Sequence, residues 1–161
     1  MATETDFEKR RGVSRVEVRD GFAQVHASRI REPLMEGRLA VLQCVADTRV
    51  SIDFLKLTPS GLSFLIPDGL SDALESALNG CDVHTTVRPG RSIVLVHAVN
   101  MRDEEGLIAR VVQEVIASGA RMDHISDMHD RMLVVVNSED AGPLRERLEA
   151  HMIEATAKGR A

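Results

Sequence analysis

The sequence predicts an α+β fold of two tandem βαββαβ units, each an antiparallel sheet with its helices on one face. Three observations predict it. The chain repeats itself at an offset of about 70 residues: Val25-His26-Ala27 meets Val96-His97-Ala98, Asp53 meets Asp123, and the strand at Ser63 meets that at Leu133. Within each repeat, apolar periods of two and of 3.6 alternate in the order strand, helix, strand, strand, helix. The third is compositional. Hydrophobic residues make up 43 % of the 161 residues, yet Trp and Tyr are absent and only Phe7, Phe22, Phe54 and Phe64 are aromatic. The core must therefore be built from Val, Leu, Ile and Met, in a globular balance with 28 % charged residues.

Residues 1–13 are polar and are expected to be a disordered tail. Val16, Val18 and the run Phe22 to Ala27 read as two strands around Asp20-Gly21, a hairpin turn signal. Gly37 precedes a helical stretch with Leu39, Leu42 and Val45 on one face, ending near Thr48. Ser51 to Leu57 is a strand, Thr58-Pro59-Ser60-Gly61 a turn, and Leu62 to Ile66 the next strand. Ser71 is placed to cap a helix with Ala73, Leu74, Ala77 and Leu78 inward, and Asn79-Gly80 ends it. Asp82 to Arg88 alternates as a strand and stops at Pro89-Gly90.

The order then recurs. Ser92 to Val99 is a strand, and Leu107 to Ala117 a helix with Ile108, Val111, Val112, Val115 and Ile116 inward. Arg121 to Asp127 and Met132 to Val136 are strands around a turn near His129-Asp130. Ser138 begins a last helix with Leu144, Leu148 and Met152 in one stripe, and residues 154–161 form a tail. The units are thus expected at 14–90 and 91–153. The first has a fourth strand after its second helix and the second does not, while the strand at 14–19 is surplus to the first. That strand is expected to complete the second unit, so that the two interlock; a single sheet continued by the Asp20-Gly21 hairpin is the alternative.

Composition also excludes. A formal net charge of -5 lacks the basic face that a phosphate backbone wants, and the scarcity of aromatics removes a base-stacking platform. Nucleic acid is not an expected partner. The longest apolar runs, such as Ile93 to Val96, are too short to span a bilayer, and Met1 to Arg11 lacks the apolar core of a signal peptide. A cytoplasmic location is expected, away from membranes, and with it two reduced thiols at Cys44 and Cys81, although the pair allows a bridge on arithmetic.

With the elements in place, several segments resemble the carboxy-terminal tandem ACT region of aspartate kinases, whose units are ferredoxin-like. Val50-Ser51-Ile52-Asp53 resembles the family's INVD at the start of a second strand, and Leu62-Ser63-Phe64-Leu65-Ile66 its ISFTV third strand. Asn100-Met101-Arg102-Asp103-Glu104-Glu105-Gly106 resembles GMRSHPG, and Met122-Asp123-His124-Ile125-Ser126 resembles INIEMIS. The likeness runs from about Val13 to Met152, carried by the order and spacing of motifs of which none is specific by itself. It implies a regulatory module without the kinase domain, since nothing here is Gly-rich enough to cradle phosphates. On that reading the protein does not phosphorylate aspartate; it is a regulatory subunit or a free-standing relative.

The resemblance also implies a ligand site at the loops between first strand and first helix. A helix start offers unpaired N–H groups and a partial positive charge that suit an α-carboxylate. In the second unit it points to Asn100, Met101, Arg102, Asp103, Gly106, Leu107, Met122 and Asp123, with Asp103 holding an α-ammonium and Gly106 admitting close approach. In the first unit it points to Glu36, Gly37, Ser51 and Asp53. ACT loops often carry Asp-x-x-Gly; the second unit has Asp103 and Gly106, whereas the first has Leu34 where that Asp would fall. The prolines usual before both glycines are Glu36 and Glu105. The plain alternative is that Asp103, Glu104 and Glu105 only stabilise the helix dipole and Gly106 serves packing.

Asp123, His124, Asp127, His129 and Asp130 form the one metal-like cluster, but strand alternation splits them between faces and a turn, so solvated polarity is the expected reading and no metal or other cofactor is expected. His26 and His97 occupy matching strand positions, as half-buried residues or as groups that titrate near neutrality. No nucleophile has a convincing base, and Lys9-Arg10-Arg11 reads as a solvated tail. The expected function is allosteric sensing of a free amino acid (lysine, threonine or methionine) by a homodimer, passed to a catalytic subunit. An interaction module without ligand, or a small enzyme with an unrecognised site, are the alternatives.

Overall fold

The computed structural model describes residues 12–99, 101 and 104–153. It contains six strands, β1 (Val13–Ser28), β2 (Phe54–Thr58), β3 (Gly61–Pro67), β4 (His84–Ala98), β5 (Met122–Asp127) and β6 (Arg131–Asn137). Four α-helices join them: α1 (Leu34–Asp47), α2 (Ser71–Leu78), α3 (Leu107–Ala117) and α4 (Ser138–Leu148). A 3₁₀ turn, Asp68–Leu70, leads into α2, and a π-helical turn, Glu149–Ile153, follows α4. The strand pairs β1·β3, β2·β3 and β5·β6 are antiparallel. The fold class is α+β, as expected. The expected tails at residues 1–11 and 154–161 lie outside the described residues, while Val13, placed in the first tail, is buried and opens β1.

The chain divides into two compact units. The first is Gly21–Arg91, with the strand order β2-β3-β1-β4. Its core joins Ala23, Val25 and Ala27 of β1 and Leu62, Phe64 and Ile66 of β3 to Val41 and Val45 of α1 and Leu74 and Leu78 of α2. Both helices therefore cover one sheet face. Each fully buried side chain of this size contributes about 1.5–3 kcal/mol by leaving water. Leu65, on the opposite face of β3, is also buried, as is Ser63 beside it, so β3 is buried on both faces.

The second unit groups the residues up to Asp20 with those from Ser92 onward, and its strand order is β1-β4-β6-β5. Its core joins Val13 and Val16 of β1, Val94, Val96 and Ala98 of β4, and Met132, Val134 and Val136 of β6 to Val111 and Val115 of α3 and Leu144 and Leu148 of α4. Met152, in the π turn, extends the α4 stripe into the same core. Ser92, fully buried, is satisfied by donating to Asp20 Oδ1 at 2.5 Å and lies 2.8 Å from Ser138 Oγ.

The structure corrects several expectations. Asp20-Gly21 is not a hairpin: β1 runs through it, as β4 runs through Pro89-Gly90. Gly21 and Gly90 hold positive φ (86° and 66°), so each signals a local irregularity within a long strand, where the chain leaves one unit for the other. Helix α1 begins at Leu34, behind Pro33 at its N-cap, which places Gly37 inside the first turn and not before it. Its buried stripe is Gly37, Val41 and Val45; Leu39, two residues from both Gly37 and Val41, falls on the opposite face of the helix and is 67 % exposed. Ile116 of α3 is likewise exposed, at 66 %, as the core side of that helix is Leu107, Val111 and Val115. Ala73 of α2 is exposed, since Leu74 and Leu78 suffice to cover the sheet. Strand β2 starts at Phe54, three residues later than Ser51. Ser71 does not cap α2: it is the helix's first residue, and its hydroxyl donates back to Asp68 O at 2.5 Å. Finally, Cys44 and Cys81 are joined as a disulfide and not present as free thiols, since α1 and the α2–β4 connection lie side by side in the first unit.

Candidate functional site

The loop before α3 is built from the second unit's own core. Met101 is fully buried among the residues facing α3 and α4, which anchors the loop between Val99 and Gly106. Gly106 is the N-cap of α3 with φ 76°, and no side-chain oxygen caps the helix. A Cβ added there would meet nothing within 4 Å, so the corner faces open space. Leu107 N donates to Glu104 O at 3.2 Å, and Arg110 Nη2 to Glu104 Oε1 at 3.0 Å. Glu104 is therefore engaged in holding the corner, and Gly12 N also donates to it, at 2.5 Å. Leu107 is buried and belongs to the core. Asn100, Arg102 and Asp103 lie outside the described residues. Met122, 38 % exposed, and Asp123 stand at the start of the edge strand β5, where the register shifts between Met122 and His124. That bulge sets the direction of Asp123.

The first unit's corresponding loop is arranged differently. Glu36 lies in the exposed first turn of α1, while Gly37 is buried against the preceding loop. A Cβ on Gly37 would fall well inside contact with the Arg31 carbonyl oxygen and Ile30 Cγ2. Ser51 and Asp53 are exposed residues just before β2, and Asp53 N donates to Leu65 O at 3.0 Å. Of these four residues only Gly37 lines a cavity of about 290 Å³ in this unit, together with Arg31, Ala40, Val41, Gly80, Cys81, Asp82 and Val83. Sequence reasoning did not find Arg31, Cys81 and Asp82 there.

The matching histidines have different partners. His26 Nδ1 shares a 2.7 Å hydrogen bond with Ser63 Oγ. His97 Nε2 lies 3.2 Å from Glu17 Oε2 and 3.3 Å from Arg15 Nη2, beside a shallow hollow lined by Ser14, Ala98, Val99 and Asp130. The Arg19 hydrogen bond holds the Glu17 carboxyl below its ordinary 4.5 against the opposing pull of desolvation, with His97 and Arg15 adding to it. Asp130 is held down mainly by its hydrogen bonds from Arg131. On the helical side of this unit, Glu114 accepts from Arg147 Nε and pairs with His151 Nδ1, both at 2.8 Å. Desolvation raises its pKa, but the bonds from His151 and Arg147 outweigh that and the net shift is downward. No group of three or more His, Cys, Asp or Glu able to hold a metal occurs among the described residues, and none of their helices is long and apolar enough to cross a membrane.

No protein-family model and no curated sequence matches the chain. Solved structures do. The regulatory subunit of aspartate kinase from Thermus flavus superposes with a TM-score of 0.76 at 17% identity, covering 87% of this chain and 98% of that one. The ligand-free regulatory subunit from Thermus thermophilus gives 0.74 at 18% identity, over 86% of this chain and 96% of that one. E. coli aspartokinase III, solved in complex with lysine and aspartate, gives 0.73 at 16% identity, over 92% of this chain and 34% of that one. The chain has, nearly end to end, the fold of the regulatory subunit of aspartate kinase.

Proposed function

We propose that this chain is a regulatory, non-catalytic subunit of two ferredoxin-like ACT units that binds a free amino acid of the aspartate-derived group and passes the signal to a catalytic partner. The observation that carries the reading is the span of the likeness, which takes in 87% of this chain and 98% of the Thermus flavus regulatory subunit. The E. coli relative was solved with lysine bound, and another similar structure holds aspartokinase alpha and beta subunits together. The favoured site is the open corner at Gly106. There the start of α3 presents N–H groups to a carboxylate and Asp103 takes the ammonium, with Asn100 and Arg102 as further candidate contacts. Ligand bound there acts by differential affinity for two arrangements of the protein.

Self-association fits the same reading. Strand β2 ends the first unit's strand order, so one of its edges is unpaired, and Leu55 (43 % exposed), Leu57, Met35 and Leu39 add exposed apolar surface. A homodimer joined there would cover both. Gly37 favours a second reading for the first unit only: its glycine serves close packing, so that unit acts as an interaction module without ligand.

A thermal-shift panel tests the proposal. L-lysine, L-threonine or L-methionine at about 100 times its dissociation constant stabilises the fold by roughly 2.7 kcal/mol, several degrees in Tm, and the D-forms do not. Asp103→Ala abolishes the shift and leaves the protein folded. If none of the common amino acids raises Tm at about 10 mM, far above a useful dissociation constant, the interaction-module reading replaces the sensor.

A further inference from the structure

We propose that Cys44–Cys81 is a thiol–disulfide exchange site attacked at Cys81, which lines a cavity of the first unit, and that a dithiol is its reactant. Cys44 sits on α1 between Val41 and Val45, partly buried against the core. Cys81 belongs to the short connection between α2 and β4, which is neither helix nor strand. It lines the cavity of about 290 Å³. Cys44 thus packs beside the core, while Cys81, also half-buried, borders a space wide enough for a small thiol.

Charge at this cavity favours the reaction. Arg31 lines it, and no hydrogen bond or ion pair of its side chain occurs among the described residues, so its guanidinium is free to attract an incoming thiolate and to stabilise the thiolate of Cys81. Asp82 lines the same cavity and opposes that attraction; the two charges together set the rate. In the first step a thiolate of the dithiol attacks Cys81 Sγ, the Cys44–Cys81 bond breaks, and Cys44 leaves as a thiolate that takes up a proton. In the second step the reagent's other thiol, as thiolate, displaces Cys81, which is protonated in turn. The balance is one protein disulfide and one dithiol giving two protein thiols and one cyclic disulfide, a transfer of two electrons and two protons.

The consequence is local. After reduction, the connection is held by Gly80 N to Ala77 O, by Cys81 N to Leu78 O at 2.9 Å, and by Val83 against the core. None of these ties it to the side of α1 that carries Cys44. The cavity wall made by Gly80 to Val83 is thereby released, while the unit's helix–sheet core stays packed. The inference stands apart from the amino-acid site at Gly106 and needs no ligand.

The test uses the full chain, oxidised with a small disulfide and then treated with dithiothreitol in native buffer. The expected result is two titratable thiols per chain, appearing while the protein remains folded by circular dichroism, with faster amide exchange confined to residues 79–84. Arg31→Met slows the exchange with dithiothreitol by about threefold or more, the scale of one nearby charge. The Cys44→Ala/Cys81→Ala variant shows the fast amide exchange without reductant. A bridge reduced only after denaturant unfolds the chain, or two thiols that never pair on oxidation, overturns the proposal. So does a reduced protein whose amide exchange at 79–84 is unchanged.

Discussion

Gly37 and Gly106 answer to the same place in the repeat, yet physics uses them for opposite purposes. Gly37 is buried in the first turn of α1, and what excludes a side chain is space: the Arg31 carbonyl and Ile30 already occupy the Cβ position. Gly106 stands before α3 with φ 76° and nothing within 4 Å, so what excludes a side chain is backbone conformation. One corner is closed by packing and the other is open. A repeat in sequence therefore need not be a repeat of sites, and ligand binding inferred for one unit does not transfer to the other by alignment. The units also differ in continuity. The first is a single stretch, Gly21–Arg91, whereas the second draws on residues up to Asp20 and from Ser92 onward.

That difference in continuity predicts the largest effect. Removing residues 1–19 takes Val13 and Val16 from the second unit's core and a strand from beside β4. The loss is on the order of 5 kcal/mol, comparable with the whole stability of a small unit. Native-state hydrogen exchange on the truncated chain should show Ser92–Ala98 losing protection while Phe22–Ala27 keeps it. The opposite order would mean that the amino-terminal strand belongs functionally to the first unit, and the interlocked arrangement would fail.

The glycines themselves give the next effect. Gly37→Ala forces a methyl group against backbone and an isoleucine in a packed turn, at a cost of about 2–4 kcal/mol. Gly106→Ala meets no clash and bears only the strain of a left-handed conformation, about 1 kcal/mol. Urea unfolding of the two variants measures both. Equal losses would show that the first corner relaxes around the added carbon, and the contrast between closed and open corners would disappear.

The elements that could be read in the sequence are those whose signals are local. Helix α3 was placed at Leu107–Ala117 because its apolar residues recur strongly at helical spacing, and the β2–β3 turn because Pro59 and Gly61 bracket it. The two long strands were misread for the same kind of reason. Asp20-Gly21 and Pro89-Gly90 are turn signals by composition, but what decides between a turn and an irregular strand is the partner strand, and partners such as β4 for β1 lie far away in the chain. Leu39 and Ile116 show the limit of periodicity: each is apolar, yet each stands on the side of its helix away from the buried stripe. Gly106 was legible as a backbone position, the left-handed residue that opens α3. What was not legible is where distant segments meet, as at Arg31, Cys81 and Asp82, because no local pattern marks a cavity wall.

Acid sharpens the comparison with the smallest effect. The carboxylates Glu17, Glu114 and Asp130, whose pKa values are lowered, all belong to the second unit. A carboxyl whose folded pKa lies below its unfolded one binds fewer protons when folded, so stability rises with pH through that range. The contribution is fully present above the ordinary values of 4.5 for Glu17 and Glu114 and 3.8 for Asp130. It is lost as pH falls through the lower folded values. The groups are largely solvated and salt screens their partners, so the effect is small and shrinks further at high ionic strength. Amide exchange followed from pH 6 to pH 3, corrected for intrinsic rates, should therefore show α3, β6 and the first half of β1 loosening before α1 and β3. If α1 and β3 open first, the ion pairs at Glu17, Glu114 and Asp130 do not set the acid limit of the second unit, and its weak point lies in the packing of its divided chain.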